Sequence, residues 1–396
     1  MSTNSHSQRH HSLISQRVNH ISPSGIRKFF DLIASMEGVI SLGVGEPDFA
    51  TPWHICETAI YSLEKGYTMY TSNLGMPELR QELSRYLRES YNLTYDPDKE
   101  LLITTGVSEA LDLAMRAILN PGDEVIMPDP CYVSYNPCVV LAGGRPIMVP
   151  TNQENNFEAS AADIEAEVNN KTKAILIGYP ANPTGAVMSR DKLAQIAEVA
   201  RRHRLLVISD EIYAKLVYGV EHTCFATLPE MKEDTILLGG FSKAYAMTGW
   251  RIGYAAANEE IINSMNKIHQ YTMLCAPIMG QIAAIEALRA GEASATEMVE
   301  EYDRRRRVIV KGLNDIGLAC FEPRGAFYAF PSIKVTGMTS DEFAEKLLIE
   351  EKVAVVPGTA FGKCGEGYVR CCYATSLADI EEALSRMKRF VKKHKK

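Results

Sequence analysis

The chain has 396 residues and a formal net charge of −7; 46% of its residues are hydrophobic and 23% are charged. This composition is typical of a soluble globular protein with a sizeable core. The acidic balance gives no electrostatic reason to expect binding to nucleic acid or to a membrane surface. Nine cysteines without a CxxC pair indicate reduced thiols, not a disulfide framework or a zinc site, and we predict no metal site.

The N-terminus and the hydropathy pattern favour a cytoplasmic protein. No apolar run approaches the roughly 20 residues that a membrane helix needs. The first residues, "MSTNSHSQRHHSLISQ", lack the apolar core of a signal peptide. We therefore predict that residues 1–20 form a flexible polar tail and that the protein lies in the cytoplasm.

Short apolar runs alternate with helical patterns through the middle of the chain. The runs predict seven strands, which lie within 101–104, 124–128, 145–150, 173–180, 205–211, 235–240 and 250–257. Continuous apolar runs are typical of strands that are buried on both faces. Their alternation with helices favours an α/β fold with a mostly parallel sheet that is flanked by helices.

Beyond residue 258 the pattern changes to long helical stretches, and short strand patterns return from about residue 320. This change predicts a second, smaller α+β domain. We place the large domain at 49–290. The small domain is expected to combine 21–48 with 291–396.

Polar residues follow five of the predicted strands, where ligands bind in open α/β sheets. Taken singly, each has an ordinary structural explanation, such as a helix cap for Asp210 or a turn for Asn182. Their convergence on one crevice favours a binding site instead. The set consists of Gly106, Val107, Ser108, Tyr132, Asn182, Asp210, Tyr213, Lys243 and Arg251.

The chemistry of this set fits pyridoxal phosphate. That cofactor needs an amine for a Schiff base, a carboxylate for its pyridinium nitrogen, and donors for its ring oxygen. Its phosphate needs cations or free N–H groups, which the small-residue turn "TTGVSEA" offers at the start of a helix. The sequence therefore predicts a pyridoxal-phosphate site.

Three motifs carry a family resemblance: "SKAYAMTGWRIGY" at 242–254, "ANPTG" at 181–185 and "SDEIY" at 209–213. With them, the chain closely resembles the class I/II aminotransferases of the fold type I pyridoxal-phosphate superfamily, over 41–376. It is similar to the prokaryotic aspartate/aromatic aminotransferase branch. The resemblance implies a large domain with a mostly parallel seven-stranded sheet and a smaller α+β domain.

The resemblance implies a role for each residue around the cofactor ring. Lys243 matches the lysine that forms the Schiff base, and Asp210 matches the partner of the pyridine nitrogen. Tyr213 and Asn182 are expected to hydrogen-bond to the phenolic oxygen of the ring. Tyr132 is expected to stack on the ring, where many aspartate enzymes have a tryptophan. Tyr132 leaves the cofactor prediction intact but weakens a prediction of aspartate specificity.

The resemblance also implies how the phosphate and the substrate are held. The expected phosphate ligands within one chain are Gly106, Val107, Ser108, Ser242 and Arg251. Tyr70 is expected to reach the phosphate of the neighbouring subunit in a homodimer. The substrate is expected to contact Gly45, Tyr132, Asn182 and Arg370, of which Gly45 and Arg370 hold its α-carboxylate. Gly240 departs from the family pattern, because many members have a phosphate-binding serine there. Ser242 either replaces that serine or the phosphate has one contact fewer.

The implied function is an aminotransferase of amino-acid metabolism, with Lys243, Asp210 and Tyr213 as catalytic residues. It moves an amino group from an aspartate, aromatic or broader L-amino acid to a 2-oxo acid such as 2-oxoglutarate, through a Schiff base and in a ping-pong sequence. A pyridoxal-phosphate β-lyase, or a related carbon–heteroatom lyase, is the first alternative, because one fold hosts several reactions. A non-catalytic aminotransferase-like regulator is a second, and the short polar segment before the family region speaks against it.

Overall fold

The computed structural model describes residues 13–19, 21–22 and 36–395. Of the predicted tail at 1–20, only residues 13–19 lie within these ranges. The strands in the described ranges are β1 (Ile40–Ser41), β2 (Leu101–Thr104), β3 (Glu124–Asp129), β4 (Arg145–Pro150), β5 (Thr172–Ile177), β6 (Leu206–Asp210), β7 (Thr235–Gly240), β8 (Gly253–Ala256), β9 (Tyr328–Ala329), β10 (Val353–Ala354), β11 (Val356–Pro357) and β12 (Val369–Cys372).

Helices surround these strands on all sides. In the described ranges they are α1 (Gln16–Asn19), α2 (Trp53–Glu64), α3 (Pro77–Tyr91), α4 (Val107–Ile118), α5 (Tyr135–Leu141), α6 (Ala161–Glu167), α7 (Arg190–His203), α8 (Glu259–Thr272), α9 (Ile278–Ala290), α10 (Glu292–Asp315), α11 (Ser340–Glu351) and α12 (Leu377–His394). No helix among the described residues is both long enough and apolar enough to cross a membrane.

The centre of the molecule is a seven-stranded sheet in the order β2–β8–β7–β6–β5–β3–β4. Neighbouring strands are parallel except for β8, which is antiparallel to both β2 and β7. This confirms the predicted mostly parallel sheet of seven strands. Because β8 is reversed between β2 and β7, those two strands run in the same direction. The carboxyl ends of β2, β3, β5, β6 and β7 therefore meet at one edge of the sheet.

Helices cover both faces of the sheet. The side chains of β2, which point alternately to the two faces, show this. Leu101 and Ile103 pack in a core cluster with residues of α2, α3 and α9. Leu102 points to the opposite face and packs with residues of α4 and α8. Successive side chains of a strand point to opposite faces, so a run that is apolar at every position needs a helix layer on each side.

Helix ends are fixed by local capping, and α7 is an example. The Ser189 side chain accepts a hydrogen bond from the backbone N–H of Lys192 at the start of this helix. The helix ends at Arg204, which has a left-handed conformation (φ 53°). These caps satisfy backbone groups that the helix itself leaves unpaired.

The C-terminal part of the chain combines short strands with long helices. Strands β11, β12 and β9 form an antiparallel three-stranded sheet, and β1 pairs in parallel with β10. A separate core cluster, which includes Tyr302, Phe327 and Phe343, lies beneath α10, α11 and α12. The pairing of β1 with β10 joins residues 40–41 to the C-terminal part. The exact division at 49 and 290 stays a prediction.

Candidate active site

A cavity of about 440 Å³ is lined by residues that follow the strand ends at this edge of the sheet. Tyr328 and Arg370 from the C-terminal strands also line it. The structure brings together eleven of the thirteen predicted site residues around this cavity: Gly45, Val107, Ser108, Tyr132, Asn182, Asp210, Tyr213, Ser242, Lys243, Arg251 and Arg370. Gly106 directly precedes two of them, whereas Tyr70 does not line the cavity.

Lys243 lies just beyond the end of β7. Its Nζ donates a hydrogen bond to the carbonyl oxygen of Gly45 at 2.8 Å. Burial lowers the pKa of Lys243 to about 8, and the cationic Arg370 and Arg251 contribute to the same shift. This amine therefore gives up its proton far more readily than an exposed lysine does.

Gly45 is a glycine because the backbone approaches Tyr328 closely here. A Cβ atom at position 45 would lie 2.5 Å from the hydroxyl oxygen of Tyr328. The same hydroxyl lies 2.7 Å from that of Tyr213 and donates a longer hydrogen bond of 3.5 Å to the Gly45 carbonyl. Tyr213, Tyr328 and Gly45 thus form one hydrogen-bonded row that ends at Lys243.

Asp210 is the last residue of β6, and its side chain is buried. The Tyr135 hydroxyl donates to its Oδ2 at 2.8 Å, and the backbone N–H of Ile212 donates to its Oδ1 at 3.2 Å. Burial raises the pKa of Asp210 to about 6 against these two hydrogen bonds, which favour the ionised form. At neutral pH the cavity therefore contains a largely ionised carboxylate.

Arg370 lies on β12 with 3% of its surface exposed. Its Nη1 donates to Asn182 Oδ1 at 3.0 Å, and its Nη2 donates to the carbonyl oxygen of Gly43 at 2.6 Å. The guanidinium also lies 4.4 Å from the ring centroid of Tyr328. Its Nε is buried and has no hydrogen-bond partner within the described part of the chain. A buried donor without a partner is costly, and a site that receives an anionic oxygen from a ligand would satisfy it.

The first turn of α4 has the features of an anion-binding helix N-terminus. Gly106 is the N-cap residue, and no side chain caps this helix end. A Cβ atom at Gly106 would lie 2.6 Å from Arg251 Nη2, and one at Gly253 would lie 2.5 Å from the backbone nitrogen of Val107. Side chains at either glycine would fill the space between the helix end and the guanidinium. Free N–H groups beside a cation are suited to a phosphate.

Gly240 is the last residue of β7 and faces the first turn of α4. A Cβ atom there would lie 2.9 Å from Val107 Cγ2 and 3.2 Å from Ile212 Cδ1. The isopropyl group of Val107 therefore takes up the space that a serine at position 240 would need. Ser242, two residues later, lines the cavity.

Sequence reasoning missed two tyrosines of the site. Tyr135 donates a hydrogen bond to Asp210. The segment "PDPCYVSY" contained an indication of this tyrosine, because Tyr135 follows the predicted site residue Tyr132 by three positions. The rings of these two tyrosines meet edge to face at 5.6 Å. Tyr328 comes from β9 in the C-terminal part, and no local pattern connects it with Tyr213.

Tyr70 is 83% exposed and lies away from the cavity. Met69, its neighbour in the chain, and Tyr271 are also exposed. Asn73 Nδ2 donates to the carbonyl oxygen of Leu274 at 2.7 Å, which brings the segments around Tyr70 and Tyr271 together. An exposed group of large apolar side chains is typical of a protein–protein interface.

The cavity thus contains a lysine with a lowered pKa, a buried carboxylate, an anion-binding helix end and a buried arginine. These groups fit pyridoxal phosphate and an amino-acid substrate. The sequence model of the family Aminotransferase class I and II matches residues 37–387. The chain belongs to this family. It is a pyridoxal-phosphate-dependent aminotransferase, which confirms the predicted family, enzyme class and cofactor.

Individual relatives cover nearly the whole chain. The Bacillus subtilis protein YugH is 58% identical over 382 residues, which are 96% of this chain and 99% of YugH. An aspartate aminotransferase of Pyrococcus abyssi is 48% identical over 96% of this chain and 99% of its own. The crystal structure of an aromatic aminotransferase from Pyrococcus horikoshii superposes with a TM-score of 0.89 at 45% identity. It covers 93% of this aminotransferase and 99% of the Pyrococcus chain.

Proposed function

We propose that this aminotransferase transfers the amino group of an aspartate, aromatic or broader L-amino acid to 2-oxoglutarate, as a homodimer in the cytoplasm. The observation that most directly supports this proposal is that Lys243, with its lowered pKa, lines the same cavity as the buried Asp210 and Arg370. Relatives named as aspartate and aromatic-amino-acid aminotransferases support this range of donors. All nine cysteines are free thiols, which suits a reducing compartment.

Four side chains of the cavity have a proposed part in holding the cofactor ring. When bound, pyridoxal phosphate supplies an electron sink for the negative charge that develops at the substrate Cα. The Asp210 carboxylate accepts the N–H of the ring nitrogen and keeps it protonated. Tyr213 and Asn182 hydrogen-bond to the ring oxygen, and Tyr132 stacks on one face of the ring.

The phosphate has its own set of proposed contacts. The first turn of α4 donates backbone N–H groups, and Arg251 provides a positive charge beside them. Ser242 provides a hydroxyl from the adjoining turn. The residues within one chain are Gly106, Val107, Ser108, Ser242 and Arg251.

Lys243 is the proposed base. Burial lowers the pKa of this amine, so its neutral form is reached closer to neutral pH than that of an exposed lysine. The neutral Nζ takes the proton from the substrate Cα, and the resulting ammonium then acts as the acid. The row of Gly45, Tyr328 and Tyr213 surrounds this amine with hydrogen-bonding groups that do not carry a charge.

A homodimer is proposed because Tyr70 is 83% exposed and does not line the cavity of its own chain. In the dimer, the exposed Met69 and Tyr271 would be covered, and Tyr70 would reach the phosphate in the neighbouring subunit. Sedimentation of the cofactor-loaded protein tests this arrangement. A monomer with full activity would contradict the role of Tyr70.

A panel of amino acids tests the proposed reaction. Each is added to the cofactor-loaded enzyme, and the loss of the visible absorbance of the bound cofactor is recorded together with the 2-oxo acid and ammonia released. Aspartate or aromatic donors should give one 2-oxo acid per site and no ammonia. Release of ammonia in place of amino transfer would indicate a lyase.

Arg370→Lys should raise the KM for the amino acid by about tenfold, since it removes one of the two charge-assisted hydrogen bonds that the arginine fork gives the α-carboxylate, worth about 1.5 kcal/mol. Lysine keeps the charge but not the planar fork of donors. Steady-state kinetics measure the change. Arg304→Lys, on the exposed face of α10, is the control and should leave KM unchanged. An unchanged KM in the Arg370 variant would remove this residue from the substrate site.

Tyr135→Phe should move the acid limb of the pH profile of pyridoxal phosphate binding to higher pH by about one unit. The reason is that the lost hydrogen bond stabilises the ionised form of Asp210, whose pKa in the cofactor-free protein burial already raises to about 6. Titration of the apoprotein with the cofactor at each pH measures the profile, and the affinity above pH 8 should change little. A profile that superposes on that of the parent protein would show that Tyr135 does not tune Asp210.

A further inference from the structure

Glu109 contacts the phosphate turn, residues 104–108, from within the first turn of α4. Its Oε2 accepts a hydrogen bond of 2.5 Å from the backbone N–H of Thr105, four residues earlier. In a capping box, such a carboxylate is paired with an N-cap side chain that occupies the N–H groups of the first turn. Here the N-cap residue is Gly106, which has no side chain, and Glu109 accepts from Thr105 one residue before the N-cap, so the contact is not a capping box. The turn is braced at Thr105, and Gly106 donates its N–H to the Thr104 carbonyl oxygen at 2.8 Å, so the backbone N–H groups of Val107 and Ser108 are the ones left without a capping side chain.

The second carboxylate oxygen of Glu109 contacts His269. His269 lies on α8, its side chain is fully buried, and its Nδ1 is 2.7 Å from Glu109 Oε1. An ionised carboxylate only accepts hydrogen bonds, so the proton of this contact lies on Nδ1. His269 Nε2 is buried and has no partner among the residues that the structure describes. Buried on α8, this imidazole holds the Glu109 carboxylate through Nδ1.

The Thr105 side chain does not help to hold the turn. Its Oγ1 is buried and also lacks a hydrogen-bond partner within the described ranges. Thr104 instead uses its hydroxyl within the turn, where it donates to the carbonyl oxygen of Gly106 at 2.9 Å. The backbone of Thr105 is thus fixed by a side chain from α4, and that side chain is fixed by α8.

We propose that Glu109, oriented by His269, is a positioning residue for the cofactor phosphate. It fixes Thr105 so that the N–H groups at the start of α4 face the phosphate beside Arg251. Glu109 does not line the cavity and acts through the backbone of the turn. The inference rests on the proposed function, in which the phosphate binds at this helix end.

The test compares two ligands that differ only in the phosphate. The full-length apoprotein is titrated with pyridoxal phosphate and with pyridoxal by equilibrium dialysis. Glu109→Ala should weaken pyridoxal phosphate binding by about tenfold and pyridoxal binding by less than about twofold, since one hydrogen bond to a charged group is lost. Glu109→Gln should stay within about threefold of the parent protein for both ligands, because its amide oxygen still accepts from Thr105.

Two further variants, one control and one alternative, keep the result decisive. Asp112→Ala lies on the same helix, where Asp112 pairs with Arg116, and it should change neither affinity. His269→Ala should reproduce the phosphate-selective loss at a smaller size, and it replaces the Glu109 variant if that variant does not fold. Equal losses for the two ligands, no loss in Glu109→Ala, or a Glu109→Gln variant as weak as Glu109→Ala would each overturn the inference. If the parent protein did not bind pyridoxal phosphate, the proposed function itself would fail instead.

Discussion

Lys243→Ala should lower kcat by at least about 10³-fold and abolish multiple turnover, because it removes both the amine that binds the cofactor and the proposed base. No other lysine lines the cavity of the described chain, so no second amine is in place to bind the cofactor and move the proton. Steady-state assays and the visible absorbance of the bound cofactor measure the two losses separately. The phosphate contacts are left in place, so cofactor should still be retained on dialysis.

The matched control for this prediction is Lys171→Ala, a lysine that is exposed at the surface. It should have the activity and the absorbance of the parent protein. A Lys243→Ala variant that kept both properties would remove Lys243 from the reaction. A second outcome is also informative: added primary amines should restore part of the activity if the missing group is a base.

Much of the cavity could be predicted from the sequence, for a geometric reason. The predicted residues Asn182, Asp210 and Lys243 each follow a strand whose carboxyl end meets the same edge of the sheet. In a parallel sheet, the position of a residue relative to its own strand already determines this edge. The placement of these residues therefore depended only on the strand pattern. Their roles as cofactor ligands stay predictions.

The features of the fold and the site that could not be predicted from the sequence depend on contacts between segments that are distant along the chain. β8 is reversed in the sheet, yet its apolar run resembles that of a parallel strand because both kinds are buried on two faces. Tyr328 meets Tyr213 across 115 positions, and no local periodicity encodes such a contact. The same holds for the packing of Val107 against Gly240, which explains the absence of a serine at that position.

Asp210→Asn should lower kcat/KM by about 10³-fold while the protein still binds its cofactor. Asparagine has nearly the same shape and can still accept the Tyr135 hydroxyl proton, so the change is mainly the loss of a charge. A neutral amide cannot hold a proton on the ring nitrogen, and charge that develops at the substrate Cα is then less stabilised. Kinetics with one amino acid and one 2-oxo acid, and dialysis for cofactor retention, measure the two properties. Near-normal turnover would contradict the proposed role.

The pH dependence separates a charge effect from a loss of packing at Asp210. In the cofactor-free protein the pKa is raised from its ordinary value of 3.8 to about 6. Between these values the folded chain keeps a proton that the unfolded chain has lost, so this group makes the apoprotein less stable as pH rises from about 4 to 6. Cofactor affinity should change in the opposite direction, because only the ionised carboxylate pairs with the protonated ring. Asp210→Asn should remove the part of each slope that Asp210 contributes, as thermal unfolding and cofactor titration of the variant and the parent protein across this window would show.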